Sequence, residues 1–177
     1  MAKATLKALS QPEKKGGVLL AIVKNLANTF ILFLCLLLVS CSQGNRINML
    51  GLHNGKLAAC PASPNCVSSE ATDAKHYIEP FRLTTPVADA WKVVQVVVVD
   101  LPRTRIIVAE DNYLHAECRS RIFGFVDDLE LHLSPEENEI AVRSSARRGY
   151  SDFGVNRKRV EALNVELNTQ GIVAEPE

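Results

Sequence analysis

Apolar side chains recur every three to four residues in two stretches of the chain. In TTPVADAWKVVQVVVVDLP, Trp91 and its apolar neighbours fall at helical spacing, and Pro86 lies near the first turn. We predict an amphipathic helix over about 86–99, although the run of valines near its end is also typical of a strand. A second helix is predicted over about 151–167. Its apolar face comprises Phe153, Val160, Leu163 and Leu167.

Between these helices, apolar and polar residues alternate in several short segments. The segments are TRIIVAED, YLHAECRS, FGFVDDLELHL and IAVRSSA, and the links between them are short. Short links favour an antiparallel meander, because parallel strands require long crossover connections. The predicted fold class is therefore α+β: an antiparallel sheet of about four strands with two helices packed on one face.

Polar residues alternate with the apolar positions of these strands and should share the face that the helices leave open. We expect this face to be solvated, since opposite charges on neighbouring strands stabilise a sheet modestly. A face that binds an organic ligand or a partner, and a metal site built from imidazole and carboxylate groups, are the alternatives. We predict no metal and no cofactor. The candidate ligand face comprises His115, Glu117, Arg119, Asp128, Glu130, His132 and Arg143.

Asp127 and Asp128 are adjacent in a predicted strand, so their side chains point to opposite faces and cannot act as one carboxylate pair. Asp127 would then point inward or lie at a strand bend, where a hydrogen bond or an ion pair is required. We predict a structural pair between Asp127 and an arginine.

The segment ARRGYSDFGVNRKRVEAL joins the last predicted strand to the second helix. Ser151 or Asp152 is a suitable N-cap, because either side-chain oxygen can accept N–H groups at the start of a helix. Arg147 and Arg148 form a candidate anion site together with the helix N-terminus. Asp152 would compete with an anion for the same N–H groups, so we favour the cap.

The run TFILFLCLLLVS, residues 29–40, carries no charge and is preceded by five lysines and one glutamate. A basic segment followed by an apolar run of about 7–15 residues is typical of a secretory signal. The run ends LVSC, which resembles the end of bacterial lipoprotein signals. We predict a lipoprotein-type signal peptide over 1–40 and a lipid on Cys41. An uncleaved membrane helix from Val18 to Ser40 and plain secretion are the alternatives, and all three export the remainder of the chain.

The remainder of the chain divides into three parts. Residues 41–57 are polar, with glycines and asparagines, and are predicted to be a tether. A single α+β domain is predicted over 58–170 and a flexible tail over 171–177. Without residues 1–40, the chain keeps 20 − 5 = 15 basic and 20 − 1 = 19 acidic side chains, a net charge of −4. Such a mildly acidic domain lacks the basic surface that binds nucleic acid.

Cys60 and Cys66 bound a short loop, CPASPNC, which two prolines stiffen. In an oxidising compartment we predict a disulfide between them, with free thiols or pairing of either with Cys118 as alternatives. A zinc site would need further Cys or His at short spacing, and none follows. Cys118 lies in an alternating strand pattern and is expected to be a buried, inert thiol.

The sequence contains no pattern that indicates a particular reaction. Ser68 and Ser69 lack the Gly-x-Ser-x-Gly elbow of serine hydrolases. The glycine spacings of phosphate- and dinucleotide-binding loops are also absent. We therefore favour a protein that is not an enzyme, and we leave that question open.

Several motifs in order resemble the family known as domain of unknown function 1499: CPASPNCVSS, HYIEPF, LPRTRI, YLHAECRSRIFGFVDDLE and VRSSARRGYSDFGVNRKRVEAL. The resemblance covers residues from about Leu57 to Leu167. It implies a small exported or membrane-linked protein, with relatives in bacteria and photosynthetic eukaryotes, and it implies no reaction or cofactor. The family's motif positions here would include Cys60, Cys66, Tyr113, His115, Glu117, Asp127, Asp128, Arg143, Ser144, Asp152 and Asn156.

These features predict a lipid-anchored protein on the periplasmic or outer side of the cell envelope. We expect a non-enzymatic module whose polar sheet face binds a small ligand or another envelope protein. The alternatives are an envelope hydrolase or metal-dependent enzyme using His115, Glu117 and Asp128, and a structural or assembly factor. An enzyme should contain a concave pocket with titratable groups inside, whereas an assembly factor should offer a flat apolar patch.

Overall fold

The computed structural model describes residues 50–175. The predicted signal peptide, the lipid site Cys41 and residues 42–49 of the predicted tether lie outside the described residues. None of the helices in the described part of the chain is long and apolar enough to span a membrane. In chain order the described elements are β1 Leu52–His53, β2 Lys56–Leu57, β3 Cys66–Ser68, β4 Phe81–Arg82, α1 Val87–Asp100, β5 Thr104–Ala109, β6 Tyr113–Arg119, β7 Val126–Ser134, β8 Glu139–Ala146 and α2 Val155–Thr169.

The main sheet of the described domain has six strands, all paired antiparallel. Strands β5, β6, β7 and β8 follow one another across the sheet, and β3 and β4 both pair with the outer edge of β8. The predicted α+β class with two helices is confirmed, but the prediction of about four strands is too low. Strands β3 and β4 have only three and two residues, so alternation could not reveal them in the sequence.

Both helices contribute to one hydrophobic core against the sheet, as predicted. Trp91 and Val94 of α1 are buried there, and so are Val160 and Leu163 of α2. Their apolar stripes explain why these segments form helices, since such a stripe is stable only against another apolar surface. The sheet contributes the alternating inward residues of β6, β7 and β8: Leu114, Ala116, Cys118, Leu129, Leu131, Leu133, Ile140 and Val142.

The folded domain begins earlier than predicted. Strands β1 and β2 pair through the two-residue turn Asn54-Gly55, in which both residues have positive φ, 55° and 77°. Asn-Gly favours such a turn because both residues adopt left-handed backbone conformations readily. Leu57 is buried behind this turn. Residues 52–57 therefore form a hairpin of the domain, and the predicted tether over 41–57 extends too far.

The domain also ends later than predicted. Ile172 and Val173 are buried, and Val173 pairs with Leu83 in an isolated antiparallel bridge. Both residues follow Gly171, whose φ of 71° turns the chain back from the end of α2. The prediction of a flexible tail over 171–177 is therefore wrong for these two residues.

Candidate functional site

The register of three neighbouring strands sets the polar candidates side by side. His115 of β6 is opposite Glu130 of β7, which is opposite Arg143 of β8. In the next row, Glu117 of β6 is opposite Asp128 of β7. Because directly opposed residues of a sheet point to the same side, these side chains share one face. The helices cover the other face, as the alternation predicts.

The prediction that this polar face is solvated is wrong. Glu130 and Arg143 are 0% and 1% exposed, and three further candidates are below one tenth exposed. The hairpin of β1 and β2 lies against this side of the sheet, where Leu57 packs with Tyr113 and Ala141. A charged face buried in this way must satisfy its charges internally. The five buried candidates are His115, Asp128, Glu130, His132 and Arg143.

Glu130 is the centre of one internal network. Its carboxylate accepts hydrogen bonds from Arg143 Nη1 at 2.7 Å, from the Tyr113 hydroxyl at 2.8 Å and from the Gly51 backbone N–H at 2.7 Å. Burial, and then the neighbouring Glu130 charge, raise the pKa of Tyr113 well above its ordinary value. The phenol therefore stays protonated and donates to the carboxylate. Through Gly51, the same carboxylate fixes the chain just before the hairpin.

Asp128 is the centre of the second network. His115 Nε2 lies 2.7 Å from Asp128 Oδ1, and Arg147 Nη2 donates to the same oxygen at 2.7 Å. Arg147 also reaches Glu117 at 2.8 Å, and Glu117 pairs with Arg119 at 3.1 Å. Burial raises the pKa of Asp128, but the hydrogen bonds from His115 and Arg147 lower it by more, so it lies below its ordinary value. The network is a chain of alternating charges, and its Glu117–Arg119 end reaches the surface.

The candidate anion site at Arg147 and Arg148 does not form. Arg147 already pairs with two carboxylates, which raise the pKa of its guanidinium further above the ordinary range. Arg148 is exposed and forms no ion pair with the described residues. The N–H groups at the start of α2 are also occupied, because Asp152 accepts hydrogen bonds from two of them.

Helix α2 begins later than predicted, and Ser151 and Asp152 do not occupy its N-cap position. Phe153 and Gly154 have positive φ, 55° and 78°, so Gly154 directly precedes the first helical residue. Asp152 nevertheless accepts the N–H groups of Gly154 at 3.0 Å and of Asn156 at 2.8 Å. Ser151 Oγ accepts the N–H of Phe153 at 3.2 Å. Both side chains therefore stabilise the loop that leads into the helix.

On the helix face, Asp127 pairs with Arg159 of α2 at 2.7 Å, which confirms the predicted aspartate–arginine pair. Arg159 also donates to Asn156 Oδ1 at 2.6 Å and to Ser144 Oγ at 3.0 Å. Sequence reasoning did not assign these roles to Arg159 and Asn156. One signal was present: Asn156 lies four residues before Val160 on the buried stripe of the helix.

The predicted disulfide between Cys60 and Cys66 is present, with a Cα–Cα distance of 5.6 Å. Cys118 is a free, buried thiol, as expected. Asn65, inside the disulfide loop, donates to the backbone oxygen of Gly149 at 2.6 Å. The disulfide loop is thereby attached to the segment that leads into α2.

A cleft of about 690 Å³ opens between the β1–β2 hairpin and the turn that joins β7 to β8. Burial raises the pKa of Glu70 in this cleft, and burial lowers the pKa of His132. Among residues 50–175, no group of three or more His, Cys, Asp or Glu side chains is arranged to hold a metal ion. The polar lining of the cleft includes Lys56, Glu70, His132, Glu136, Glu137 and Glu139.

At the opposite end of the sheet, large apolar side chains are exposed. Ile122 and Phe123, in the loop between β6 and β7, are 81% and 75% exposed, and Phe153 is 90% exposed. The prediction that Phe153 belongs to the buried face of α2 is wrong, because its left-handed backbone turns it away from the helix. The predicted strand from Phe123 begins only at Val126. We call this group the apolar tip: Ile122, Phe123, Phe125, Tyr150 and Phe153.

In residues 50–175 these features define a small α+β domain with one disulfide, whose polar sheet face is partly covered by the β1–β2 hairpin. The family described as "Protein of unknown function (DUF1499)" matches residues 56–167, and the chain belongs to this family. The resemblance drawn from the motifs is thereby confirmed. No curated protein and no solved structure matches the chain.

Proposed function

We propose that this chain is an exported, lipid-anchored protein of the cell envelope that acts by docking. The signal pattern that ends at Cys41 supports the lipid anchor. The disulfide between Cys60 and Cys66 is consistent with an oxidising compartment outside the cytoplasm.

The main support for this proposal is the difference between the polar sheet face and the apolar tip. Most of the charged groups of the polar face are paired with one another, and the His115–Asp128 and Glu130–Arg143 pairs are buried, so much of their charge is already neutralised. The apolar tip instead exposes large side chains to water, among them Phe123 and Phe153. Exposed apolar clusters with a polar rim are typical of interaction surfaces. The docking surface in this proposal is therefore the apolar tip.

Site-specific photo-crosslinking of the full-length chain in its host tests the docking function. A photoreactive phenylalanine analogue replaces Phe123 at the tip, and the matched control replaces Val96, a 61% exposed residue of α1. We expect a reproducible adduct from position 123 that position 96 does not give. Absence of an adduct at 123, or equal labelling at both positions, would contradict docking through the tip.

The anchor is tested separately by Cys41→Ser in the host. We expect the substitution to abolish the lipid mass and to prevent processing to the mature length. Intact mass and membrane fractionation are the measurements. A mature-length Cys41→Ser protein that remains on the membrane would contradict the lipid anchor.

A further inference from the structure

We propose that the apolar tip inserts into the surface of an anionic phospholipid membrane. This inference rests on the proposed docking function and specifies its target. The argument depends on how the tip is built, on its charge and on its reach from the anchor.

Two loops at one end of the sheet form the tip, and hydrogen bonds hold them. The loop 120–125 is closed by the Ser120 N–H, which donates to the Phe125 carbonyl at 2.8 Å, and by the Phe125 N–H, which donates to Ser120 Oγ at 2.9 Å. The second loop, residues 147–154, follows β8. It begins beside the first loop, because the Arg147 N–H donates to the Val126 carbonyl at 3.2 Å. The exposed side chains therefore project from an ordered platform.

The exposed aromatic side chains of the tip contribute little to the stability of the fold, because they remain in contact with water. Phe153 is 90% exposed and has a φ of 55°, a left-handed conformation that a bulky residue adopts at a cost. Phe123 is 75% exposed, and its ring centroid lies 5.6 Å from that of Phe125. At the boundary between headgroups and acyl chains, such side chains lose their contact with water, which favours binding in proportion to the area buried.

The charge of the tip is complementary to anionic lipid. The loop 120–125 contains Arg121 and no acidic residue. The second loop, residues 147–154, contains Arg147 and Arg148 and one acidic residue, Asp152, whose carboxylate accepts two backbone N–H groups. Arg121 and Arg148 are exposed, and neither forms an ion pair with the described residues. The two loops therefore have a positive net charge, whereas the chain without residues 1–40 has a net charge of −4. Arginine beside an apolar cluster can bury its stem while its guanidinium pairs with lipid phosphate.

The tip can reach the membrane that holds the lipid. The Gly51 N–H is hydrogen-bonded to Glu130 of β7. Val126, at the tip end of β7, is four residues from Glu130, a distance of about 14 Å at ~3.4 Å per residue. Residues 41–50 can span at most about 36 Å when fully extended. The chain between the lipid and the domain is therefore long enough for the tip to touch the same bilayer.

A protein partner fits this surface less well. Specific protein interfaces bury about 800 Å² on each partner and need complementary shape. The tip offers five apolar side chains on two protruding loops, Ile122, Phe123, Phe125, Tyr150 and Phe153, and a deformable lipid surface accommodates such a shape without a matching cavity.

Hydrogen exchange tests the inference on the full-length, lipid-anchored protein in nanodiscs, so that the anchor is the same in every sample. One set contains phosphatidylcholine alone, and the other contains about one third phosphatidylglycerol. We expect amides of the loops 120–125 and 147–154 to exchange about fivefold or more slowly in the anionic discs. The turn 135–138, at the other end of the sheet, is the internal control. Equal exchange of the two loops in both discs would overturn the inference.

Variants and the crosslinked product complete the test. Phe123→Ser with Arg121→Gln should abolish the protection, while Val96→Ser on the exposed side of α1 should leave it intact. Unchanged protection in the tip variant would overturn the inference. In the host, a lipid adduct at position 123 supports it, and a discrete protein adduct there overturns it while leaving docking in place. No adduct at position 123 would contradict both.

Discussion

Glu130 and Arg143 form an ion pair of 2.7 Å in which the two side chains are 0% and 1% exposed. The pair lies on the sheet face opposite the helices, and the carboxylate also accepts hydrogen bonds from Tyr113 and Gly51. A buried pair of this kind adds little net stability compared with apolar residues. Removal of one partner is nevertheless strongly destabilising, because it leaves the other charge buried and unpaired. The polar face is therefore a fixed internal layer of the fold.

Glu130→Gln should lower the free energy of unfolding by about 3–5 kcal/mol, because it leaves the charge of Arg143 buried without its counter-ion. Urea unfolding at pH 7 measures the loss. Asp89→Asn is the matched control, since Asp89 pairs with Lys92 at 3.6 Å on the surface of α1. An exposed pair of that kind should cost less than about 1 kcal/mol. Equal losses in the two variants would contradict the buried network.

The stability contributed by Asp128 should decrease in acid. Its hydrogen bonds to His115 and Arg147 outweigh its burial and hold its pKa below the ordinary value. A folded-state pKa below the unfolded one contributes stability that is complete above about pH 4 and is lost as the pH falls through the folded value. The difference in free energy of unfolding between wild type and Asp128→Asn should therefore be constant from pH 7 to 5 and should shrink below pH 4. A difference unchanged at pH 3 would refute this role.

His132 should respond to pH in a higher window. Burial lowers its pKa, so the folded protein holds the neutral imidazole and binds fewer protons than the unfolded chain. Its contribution to stability is present above about pH 6.5 and is lost as the pH falls through the lowered folded value. We expect His132→Gln to reduce the loss of stability between pH 6.5 and 5, measured by urea unfolding. An equal loss of stability in the wild type and in His132→Gln would contradict this role.

Local patterns predicted the elements of this fold better than its boundaries. The helical spacing around Trp91 gave α1 to within a residue at each end, and alternation located the four long strands. The two short strands along β8 are set by long-range pairing, which has no local pattern. The hairpin was missed for another reason. Asn54-Gly55 is a strong turn signal, but the polar composition around it favoured a tether.

The sequence predicted which residues share the polar face, but it did not predict that they are buried. Period-two alternation correctly put His115 and Asp128 on one face, since side-chain direction is a local property. Their burial depends on contacts with distant parts of the chain, such as that of Arg147 with Asp128 and that of the Gly51 N–H with the neighbouring Glu130. Alternation carries no information on such contacts. Arg159 shows the same limit, because an arginine partner for Asp127 was predicted but its identity depends on how α2 packs.

Loss of the disulfide should destabilise the domain moderately. The double variant Cys60→Ser/Cys66→Ser should lose about 2 kcal/mol, because the bridge closes a loop only six residues apart in sequence and so constrains the unfolded chain modestly. Urea unfolding without reductant measures this loss. Under reducing conditions the wild-type and variant proteins should have similar stability. A difference that persists after reduction would mean that the serine hydroxyls, rather than the missing bridge, cause the loss.

Phe153→Asn should increase the free energy of unfolding by about 0.5–1 kcal/mol. Asparagine tolerates the left-handed backbone of this position better than phenylalanine does, and the 90% exposed ring has little packing to lose. Phe153→Ala is the control, since it removes the ring but keeps a side chain that disfavours positive φ. Urea unfolding should rank Asn above Ala. If Phe153→Asn is more stable than the wild type and its tip amides are less protected in anionic nanodiscs, Phe153 contributes to docking at the expense of folding stability. If Phe153→Asn is less stable than the wild type, the aromatic ring stabilises the loop.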